Sequence, residues 1–473
     1  MAIELSTITF TDQDDIVPES GVKDIIVNTG SANTLAGNDR ITGTYVYDPN
    51  SGNDQSRSGI KNSSTLDTAE GDDIINARGR EDGILNTWAF YTGEGNDTIT
   101  AWGWYDGIVN SWAFSTGKGN DVINANGYDS TGIVNSGIIF DTAEGNDTIN
   151  AYGYFAPGIV NSGTFSTGEG NDIISAGARE DGIVNTGAFY TADGDDVIEG
   201  SGGRKVGISS TQGSILDTGN GNDRISGSGL GTGISNASFT FNTGEGNDTI
   251  QGEGGSRGIE NEGLISTGNG KDEIIARASG GDYYGGSDNF GPALSNFSTI
   301  DTGDDEDIIT AIGDIENGNA AIENGGTIYT GYGDDSIIWH GNFFNFGEVF
   351  LGDGNDTITS TGVIYNEGTI NTGDGDDSII VDGGFQSGSS GIVFLENGND
   401  YFKGFGNGEF SGGNGNDTLE LTSGTYTVGV WYTTVTFTKD SSIMIASEFE
   451  KLIAGSTTYD FTSLTKGQTI TVA

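Results

Sequence analysis

Residues 166–177, STGEGNDIISAG, decide the fold, because near-copies of this stretch recur along most of the chain. Each copy is a glycine-rich corner that closes on an aspartate. Most successive aspartates lie 21 to 28 residues apart, with one step of 35 and one of 17, and a period of this kind indicates a solenoid with one coil per repeat. The corner aspartates are Asp73, Asp97, Asp121, Asp147, Asp172, Asp196, Asp223, Asp248, Asp272, Asp307, Asp335, Asp356, Asp377, Asp400 and Asp417.

The residues after each corner alternate with period two, which is a strand signal. In the quoted copy Ile174 and Ala176 share the parity that we expect to face the interior. A variable turn follows, and a second strand then opens with Gly-Ile-x-Asn, so each repeat is expected to supply two strands and two turns. The predicted fold class is all-β: a parallel β-solenoid (β-helix or β-roll-like) of about 15 coils with a small β cap at its C-terminal end.

The repeat also sets the domain boundaries that we expect. Residues 1–30 read as an irregular N-terminal coil or cap, residues 31–420 as the solenoid and residues 421–473 as the C-terminal β cap. The 35-residue step contains residues 276–296, ARASGGDYYGGSDNFGPALSN, which predict an extruded loop in that coil.

Asparagine recurs once per repeat in the second strand, with the inward parity of the preceding isoleucine. Buried amides need hydrogen-bond partners, and identical amides in stacked coils can supply them to one another. The sequence therefore predicts a structural asparagine ladder, with Ser210 filling one gap. Its members are Asn86, Asn110, Asn135, Asn161, Asn185, Asn236, Asn261, Asn296, Asn324, Asn345 and Asn366.

The charge balance limits the classes of partner. The chain has 18 Lys+Arg against 69 Asp+Glu, a net charge of −51 at pH 7, which excludes phosphate-binding nucleic-acid proteins. No cysteine is present, so disulfides and thiolate metal sites are excluded. We expect no cleaved N-terminal signal and no transmembrane segment, because no basic-then-apolar leader and no long apolar run occurs.

Stacking places each corner aspartate close to those of the neighbouring coils, so the column must be neutralised. Two unit charges about 5 Å apart repel by roughly 1 kcal/mol in water and by more at a partly buried edge. Calcium accepts carboxylate and carbonyl oxygens together, and the glycines permit the backbone conformations that turn carbonyls toward an ion. An alternative is plain turn chemistry, in which Asn, Asp and Gly cap themselves by local hydrogen bonds.

Residues 412–420, GGNGNDTLE, match the nonapeptide G-G-x-G-x-D-x-U-x, and the chain thereby resembles the RTX (haemolysin-type) calcium-binding repeat proteins. The resemblance implies Ca2+ held between stacked turns by the aspartate and by glycine-turn carbonyls. The other corners match the nonapeptide in part. Carried over by position, the implied metal-binding residues are Gly412, Gly413, Gly415 and Asp417, and, in the reduced form, Gly93, Gly95 and Asp97, Gly168, Gly170 and Asp172, and Gly244, Gly246 and Asp248, with the aspartates of the remaining corners.

The chain departs from the family pattern in three ways. The first glycine of the motif is usually threonine, the second is alanine at Ala69, Ala143 and Ala192, and the nonapeptides are not in tandem. One corner in a coil of about 24 residues implies ions along a single edge only. The hydroxyl-rich residues 421–473 also resemble the uncleaved type I export signal of such proteins, which implies an extracellular protein, secreted or held at the cell surface.

Three functions remain open from the sequence. The first is a secreted calcium-binding scaffold with a structural, cell-surface or adhesive role, for which extracellular polysaccharide is a candidate partner. The second is a polysaccharide-acting enzyme, a lyase, hydrolase or epimerase, for which the single histidine, His340, would be the acid or base. The third is binding to an ice or crystal face through a flat threonine array, and the outward column after the corner is too mixed to favour it. Trp88 and Trp112, at equivalent sites, fit packing, whereas Trp104 and its neighbours leave a sugar-binding strip open.

Overall fold

The computed structural model of the protein describes residues 2–17, 25–45, 58–211, 213–280, 291–313, 320–386 and 391–473. The predicted fold class is confirmed, because these residues form short parallel strands stacked coil upon coil and contain no α-helix. Two 3-10 turns occur in this part of the chain, at Leu5–Thr7 and Phe461–Ser463. The chain divides into two compact units, Met1–Gly244 and Glu245–Ala473.

Each regular coil contains three strands, so the prediction of two strands per repeat is wrong. The coil that follows Asp97 has strands Thr98–Gly103, Ile108–Asn110 and Ala113–Ser115. The expected second strand breaks after Asn110, whose side-chain oxygen accepts a hydrogen bond from the backbone N–H of Trp112 at 3.4 Å. This side-chain bond supports a bend between the two segments, so the second and third strands belong to different sheets.

The unit Met1–Gly244 has three parallel sheets, which we number by the position of the strand within the coil. Sheet 1 follows the corner and contains Ile16–Val17, Arg40–Thr44, Ile74–Arg78, Thr98–Gly103, Val122–Gly127, Thr148–Gly153, Ile173–Ala178, Val197–Gly202 and Arg224–Gly229. Sheet 2 carries the asparagines and contains Ala2–Glu4, Ile25–Asn28, Ile60–Asn62, Ile84–Asn86, Ile108–Asn110, Ile133–Asn135, Ile159–Asn161, Ile183–Asn185, Val206–Ser210 and Thr232–Asn236. Sheet 3 leads to the next corner and contains Ala32–Asn33, Leu66–Asp67, Ala89–Tyr91, Ala113–Ser115, Ile139–Asp141, Thr164–Ser166, Ala188–Tyr190, Ile215–Asp217 and Thr240–Asn242.

The unit Glu245–Ala473 has three parallel sheets of the same kind. Its sheet 1 contains Thr249–Gly254, Glu273–Ala278, Ile308–Ile312, Ser336–His340, Thr357–Ser360, Ser378–Val381, Tyr401–Lys403 and Thr418–Leu421. Its sheet 2 contains Arg257–Asn261, Leu294–Asn296, Ala320–Asn324, Asn342–Asn345, Ile364–Asn366 and Phe385–Gln386. Its sheet 3 contains Leu264–Ser266, Thr299–Asp301, Thr327–Tyr329, Glu348–Asp353, Thr369–Asp374, Ile392–Phe394, Asn397–Gly398, Gly408–Ser411 and Asn414–Gly415. The loop predicted in residues 276–296 falls largely on 281–290, outside the described residues.

The core consists of columns of like residues. In Met1–Gly244 the inward isoleucines of sheets 1 and 2, such as Ile99 and Ile108, are fully buried. Sheet 3 adds a stack of buried phenylalanine rings with centroids 4.6 to 4.8 Å apart, each covering the next. The parallel register keeps identical side chains in line, and burying each large apolar side chain contributes roughly 1.5–3 kcal/mol. The members of the stack are Phe90, Phe114, Phe140, Phe165 and Phe189.

The predicted asparagine ladder is confirmed by hydrogen bonds within both units, except at Ser210, which lies in register with Asn185 and Asn236 but whose buried hydroxyl has no hydrogen-bond partner. Asn86 donates from Nδ2 to Oδ1 of Asn110 at 2.8 Å and also to the backbone oxygen of Ala113 at 2.7 Å. The same amide-to-amide bond, 2.8 to 2.9 Å long, links the series from Asn28 to Asn185 and the series from Asn261 to Asn366. The first series includes two members that were not predicted from the sequence, Asn28 and Asn62. In this ladder the Nδ2 group of an asparagine bonds to the following coil and its Oδ1 accepts from the preceding one, whereas Oδ1 of Asn28, the first member, has no partner.

The C-terminal cap is antiparallel, unlike the coils. Its strands are Gly424–Trp431, Thr434–Lys439, Ser442–Ser447, Lys451–Ala454, Thr457–Asp460 and Thr469–Val472. Two of them also pair in parallel with the last coil: Ser442–Ser447 lies beside Gly408–Ser411, and Lys451–Ala454 lies beside Thr418–Leu421. The cap therefore covers strand edges that a solenoid would otherwise leave open. No helix in the described part of the chain could cross a membrane.

Candidate functional site

The glycine pair found in most corners lies where the neighbouring coil approaches closely. In the corner TGKGND, Gly117 has φ of 87° and Gly119 has φ of 142°. A Cβ added at Gly119 would lie 1.7 Å from the carbonyl oxygen of Gly95, one coil earlier. The carbonyl groups of one corner thus point at the glycines of the next corner, and a Cβ at Gly119 would meet such a group. In the corner of Asp307 the position of the second glycine is taken by Asp305, with φ of 82°.

The other glycines carried over from the family motif lie in the same kind of corner. Positive φ values occur at Gly93, Gly95, Gly168, Gly170, Gly244, Gly246, Gly413 and Gly415. Gly412 is not among the positive-φ residues. The alanine departures at Ala69, Ala143 and Ala192 have φ of 63° to 65°, a left-handed conformation that an alanine tolerates at a cost. The first glycine of the pair is therefore replaceable in this fold, whereas the second is alanine in none of these three corners.

Every corner aspartate is buried, with at most 2% of its surface exposed. Its Oδ1 accepts a hydrogen bond from the backbone N–H of the corner aspartate one coil earlier, as in the bond from Asp73 to Asp97 at 2.8 Å and from Asp97 to Asp121 at 2.7 Å. We call this series of bonds the aspartate ladder. In Met1–Gly244 it runs from Asp39 to Asp223, and in Glu245–Ala473 from Asp248 to Asp417, with lengths of 2.7 to 2.9 Å.

A second ladder, made by the residue before each corner aspartate, runs in the opposite direction. Asn96 donates its backbone N–H to Oδ1 of Asp72 at 2.8 Å, and Asn120 donates to Oδ1 of Asn96 at 2.9 Å. Two consecutive amides of the corner are therefore satisfied by side chains from opposite neighbouring coils. The sequence predicted neither ladder, because at the corners only local turn hydrogen bonds were expected.

In many of the buried aspartates the second carboxylate oxygen is an acceptor without a hydrogen bond. Thr92 lies near Asp97 and lowers its pKa, but its hydroxyl proton goes to the carbonyl oxygen of Thr116 at 2.9 Å. Oδ2 is buried and has no hydrogen-bond partner in Asp39, Asp73, Asp97, Asp121, Asp147, Asp172, Asp196, Asp272, Asp307, Asp335, Asp356, Asp377, Asp400 and Asp417. Where the threonine hydroxyl bonds elsewhere, as that of Thr92 does, the corner holds an oxygen lone pair, out of water, that a cation or a proton could satisfy. Beside Asp121 and Asp172 the hydroxyls of Thr116 and Thr167 have no other acceptor, and they lower the pKa of those aspartates.

Burial raises the pKa of these carboxyl groups. Desolvation is the main cause, and it raises the pKa of Asp97 to about 6, that of Asp121 to about 7 and that of Asp196 to about 8. The charge of neighbouring ladder members adds to the shift, as Asp172 and Asp223 do for Asp196. Without a counter-ion, part of the ladder is therefore protonated near neutral pH.

The corners fit calcium in the chemistry of their donors. Among the described residues no group of three or more His, Asp or Glu side chains could hold a metal by itself. Corners such as that of Asp97 contain both a buried carboxylate oxygen without a hydrogen bond and glycine carbonyl groups, and calcium takes ligands of both kinds. Magnesium, which demands near-ideal octahedral geometry, suits such a backbone-rich site less well.

The predicted catalytic candidate lies apart from the corners. His340 ends the strand Ser336–His340 and is half-buried, with its Nδ1 3.5 Å from the Thr361 hydroxyl. Its neighbour Trp339 is buried and packs edge-on against Phe343. The contact joins the histidine to a hydroxyl rather than to a carboxylate, so it favours packing over proton transfer.

Trp88 and Trp112 stack with centroids 5.1 Å apart and planes 2° apart, although 47% and 41% of their surfaces are exposed. Each ring covers one face of the other, as expected for packing along neighbouring coils.

Comparison with known proteins supplies no family for this chain. No protein-family model matches it, and no curated protein matches it at a significant level. Function is therefore argued from the corners and from the outer surface of the coils.

Proposed function

We propose that this protein is an extracellular scaffold whose glycine-aspartate corners bind calcium and thereby stabilise the stacked coils. The observation that carries the proposal is the buried, unbonded Oδ2 that recurs in corner after corner. An asparagine would provide the same Oδ1 for the ladder bond, and asparagine does so at Asn96 and Asn120 in the exposed ladder. The buried position is aspartate rather than asparagine in corner after corner, which indicates that the second oxygen and the negative charge take part in binding a cation.

The energetics favour a divalent ion. Carboxylates in adjacent coils repel each other by roughly 1 kcal/mol per pair in water and by several times more where the effective dielectric is lower. Protonation also relieves this repulsion, and the raised pKa values favour it, but it removes the negative charge, whereas calcium binds the charged form. Because an ion that binds only the folded chain stabilises it, calcium would favour folding in proportion to its concentration over its dissociation constant.

The extracellular location is proposed on the same chemistry. Extracellular calcium modules bind the ion with dissociation constants of about 0.1 to 1 mM, so the millimolar calcium outside the cell can occupy them. A cysteine-free chain with a net charge of −51 suits folding on calcium after export, and the resemblance of residues 421–473 to a type I export signal supplies a route. On this proposal the structural or adhesive role belongs to the outer faces of the coils, and the corners hold those faces in register.

The experiment that tests this proposal is removal of the ion from the full chain. The protein is stripped with a chelator, and its strand content is followed by circular dichroism while calcium is added from about 0.01 to 10 mM, a range that brackets extracellular sites. We expect thermal stability, and the strand signal near the melting temperature, to rise with calcium, together with direct binding of several ions per chain by calorimetry. Magnesium at equal concentration is the control. Identical melting curves with chelator and with calcium would show that the corners are ordinary turns.

A further inference from the structure

An open depression of about 310 Å³ lies on the outer face of sheet 1 in the unit Met1–Gly244. It crosses the strands Val122–Gly127, Thr148–Gly153, Ile173–Ala178 and Val197–Gly202. Its polar lining consists of amides, hydroxyls and one carboxylate: Asn124, Asn126, Asn150, Ser175, Ser201 and Glu199. The corners lie at the start of these strands, so the depression is separate from the aspartate ladder.

The parallel register orders this lining into two rows across the strands. Asn124, Asn150, Ser175 and Glu199 are register partners in one row, and Asn126, Tyr152, Gly177 and Ser201 are partners in the other. Neighbours in a row are separated by the strand spacing of about 4.8 Å. Asn150 donates from Nδ2 to Oδ1 of Asn124 at 3.0 Å, which holds these two amides together along the row.

Tyr152 lies over a glycine. A Cβ at Gly177 would meet Cδ2 and Cε2 of the Tyr152 ring at 3.3 and 3.7 Å, so the ring occupies the space above the neighbouring strand that a side chain would take. The side chain remains 45% exposed. One side of the ring therefore rests on the strand, and the other side faces the depression.

Tyr128 differs from Tyr152 in what its ring contacts. It is also 45% exposed, but its ring packs against Trp104 at 4.7 Å and against Tyr154 at 5.7 Å, on neighbouring coils. Trp102 is likewise covered, by the Arg78 guanidinium 4.6 Å from its ring. The sugar-binding strip that the sequence left open around Trp104 is thus largely a stack of rings that contact one another, whereas Tyr152 offers a ring to a ligand.

We propose that this depression binds a neutral polysaccharide, with one sugar ring lying on Tyr152. The apolar face of a sugar ring suits an aromatic surface, and its hydroxyl groups both donate and accept, which matches amides, hydroxyls and one carboxylate. Neighbours within a row are about 4.8 Å apart, roughly the length of one hexose unit, so successive sugars of a chain can meet polar groups of successive coils. The net charge of −51 and the carboxylate of Glu199 repel polyanions, which selects an uncharged polymer.

This inference goes beyond the proposed calcium-stabilised scaffold and shares with it only the folded coils. It is tested with the full chain at one saturating calcium concentration. The probes are neutral hexasaccharides of glucose, mannose and galactose, with a hexagalacturonate as the anionic comparator, and binding is measured by calorimetry. The variants are Tyr152→Ala, Tyr152→Phe and Glu199→Gln, and the matched control is Tyr128→Ala, which removes an equally exposed tyrosine.

We expect at least one neutral hexasaccharide to bind and Tyr152→Ala to weaken it about tenfold or more, as loss of an aromatic anchor does. Tyr152→Phe retains the ring and should retain most of the affinity, and Tyr128→Ala should change it by less than about twofold, as for a surface substitution. Absence of binding by every neutral probe, tighter binding of hexagalacturonate, or equal losses in Tyr128→Ala and Tyr152→Ala would each overturn the proposal. If calcium still stabilises a protein that binds no sugar, this inference fails alone and the scaffold proposal stands.

Discussion

Asp417 donates its backbone N–H to a carboxylate oxygen of Glu450 at 2.8 Å, and this bond ends the aspartate ladder of the unit Glu245–Ala473. In every earlier rung the acceptor is the corner aspartate of the following coil. After Asp417 no further corner exists, and the cap supplies a glutamate in its place. The carbonyl oxygen of Asp417 in turn accepts from the backbone N–H groups of Glu450 and Lys451. The cap therefore continues the hydrogen bonding of the corner as well as the pairing of the strands.

Substitution of Glu450 should loosen the last corner. Glu450→Ala removes the acceptor for the Asp417 amide, and we expect it to lower the free energy of unfolding by about 0.5–1.5 kcal/mol, the net value of one hydrogen bond. Amide hydrogen exchange at Asp417 should accelerate. Glu450→Gln keeps an acceptor oxygen and serves as the control. Equal exchange rates in all three proteins would show that this bond does not hold the corner.

The effect of replacing one ladder aspartate on the free energy of unfolding should depend on calcium. Asp97→Asn keeps Oδ1 for the ladder but removes the charge and the unbonded oxygen. In chelator the variant should be at least as stable as the wild type, because repulsion falls, whereas in calcium it should be less stable by about 1–3 kcal/mol, because a site loses a buried ligand.

The control for that change is Asp72→Asn, which removes the same charge from the neighbouring exposed position and leaves an acceptor for Asn96. It should not alter the calcium dependence of the melting temperature. Asp97→Asn having the same effect with and without calcium would contradict a role for this carboxylate as a ligand.

The metal-free protein should lose stability as the pH rises. The folded-state pKa of Asp97 is raised to about 6, that of Asp121 to about 7 and that of Asp196 to about 8, all above the usual value of 3.8. The folded chain therefore binds protons more tightly than the unfolded chain, and the stability present below the unfolded pKa is lost as pH increases through about 6 to 8.

Denaturant unfolding in chelator at pH values from about 5 to 9 checks this dependence, because the free energy of unfolding should fall across that interval. Calcium competes with protons for the same oxygens, so its stabilising effect should be larger at the alkaline end. A metal-free stability that rises between pH 6 and 8 would mean that the ladder carboxylates are charged and already compensated in the folded chain.

The two glycines of a corner should differ in their tolerance of alanine. Gly117→Ala requires a left-handed conformation that Ala69, Ala143 and Ala192 already adopt at the equivalent position. Either alanine would place a Cβ 1.7 Å from a carbonyl oxygen of the preceding coil, that of Gly93 for Gly117→Ala and that of Gly95 for Gly119→Ala. Gly119 also has φ of 142°, which is farther from the 63° to 65° of the corner alanines than the 87° of Gly117. We expect Gly119→Ala to destabilise the protein by more than Gly117→Ala, whose cost should be about 1–2 kcal/mol. Comparison of the two melting temperatures in saturating calcium checks this order.

Features that repeat once per coil could be predicted from the sequence. The alternation in residues 166–177 predicted the sheet 1 strand and its buried Ile174, and the column of asparagines predicted the buried ladder. Because the repeats stack in parallel, each residue lies beside the equivalent residue of the next coil. Residues that recur once per repeat therefore form a row along the stack of coils. The sequence also selected the corner aspartates as a set.

Features that depend on bonds between unlike positions needed the tertiary structure. The break at Asn110 that divides a coil into three strands and the place of Glu450 as the last acceptor join groups that the repeat period does not relate. The two corner ladders join equivalent positions, but their opposite directions depend on the backbone path within the corner. The depression at Tyr152 arises because the neighbouring coil has glycine at one register position. The sequence by itself determined which residues stack, because stacking copies the repeat. The tertiary structure alone decided what each stacked side chain contacts, because that depends on the path of the backbone between the columns.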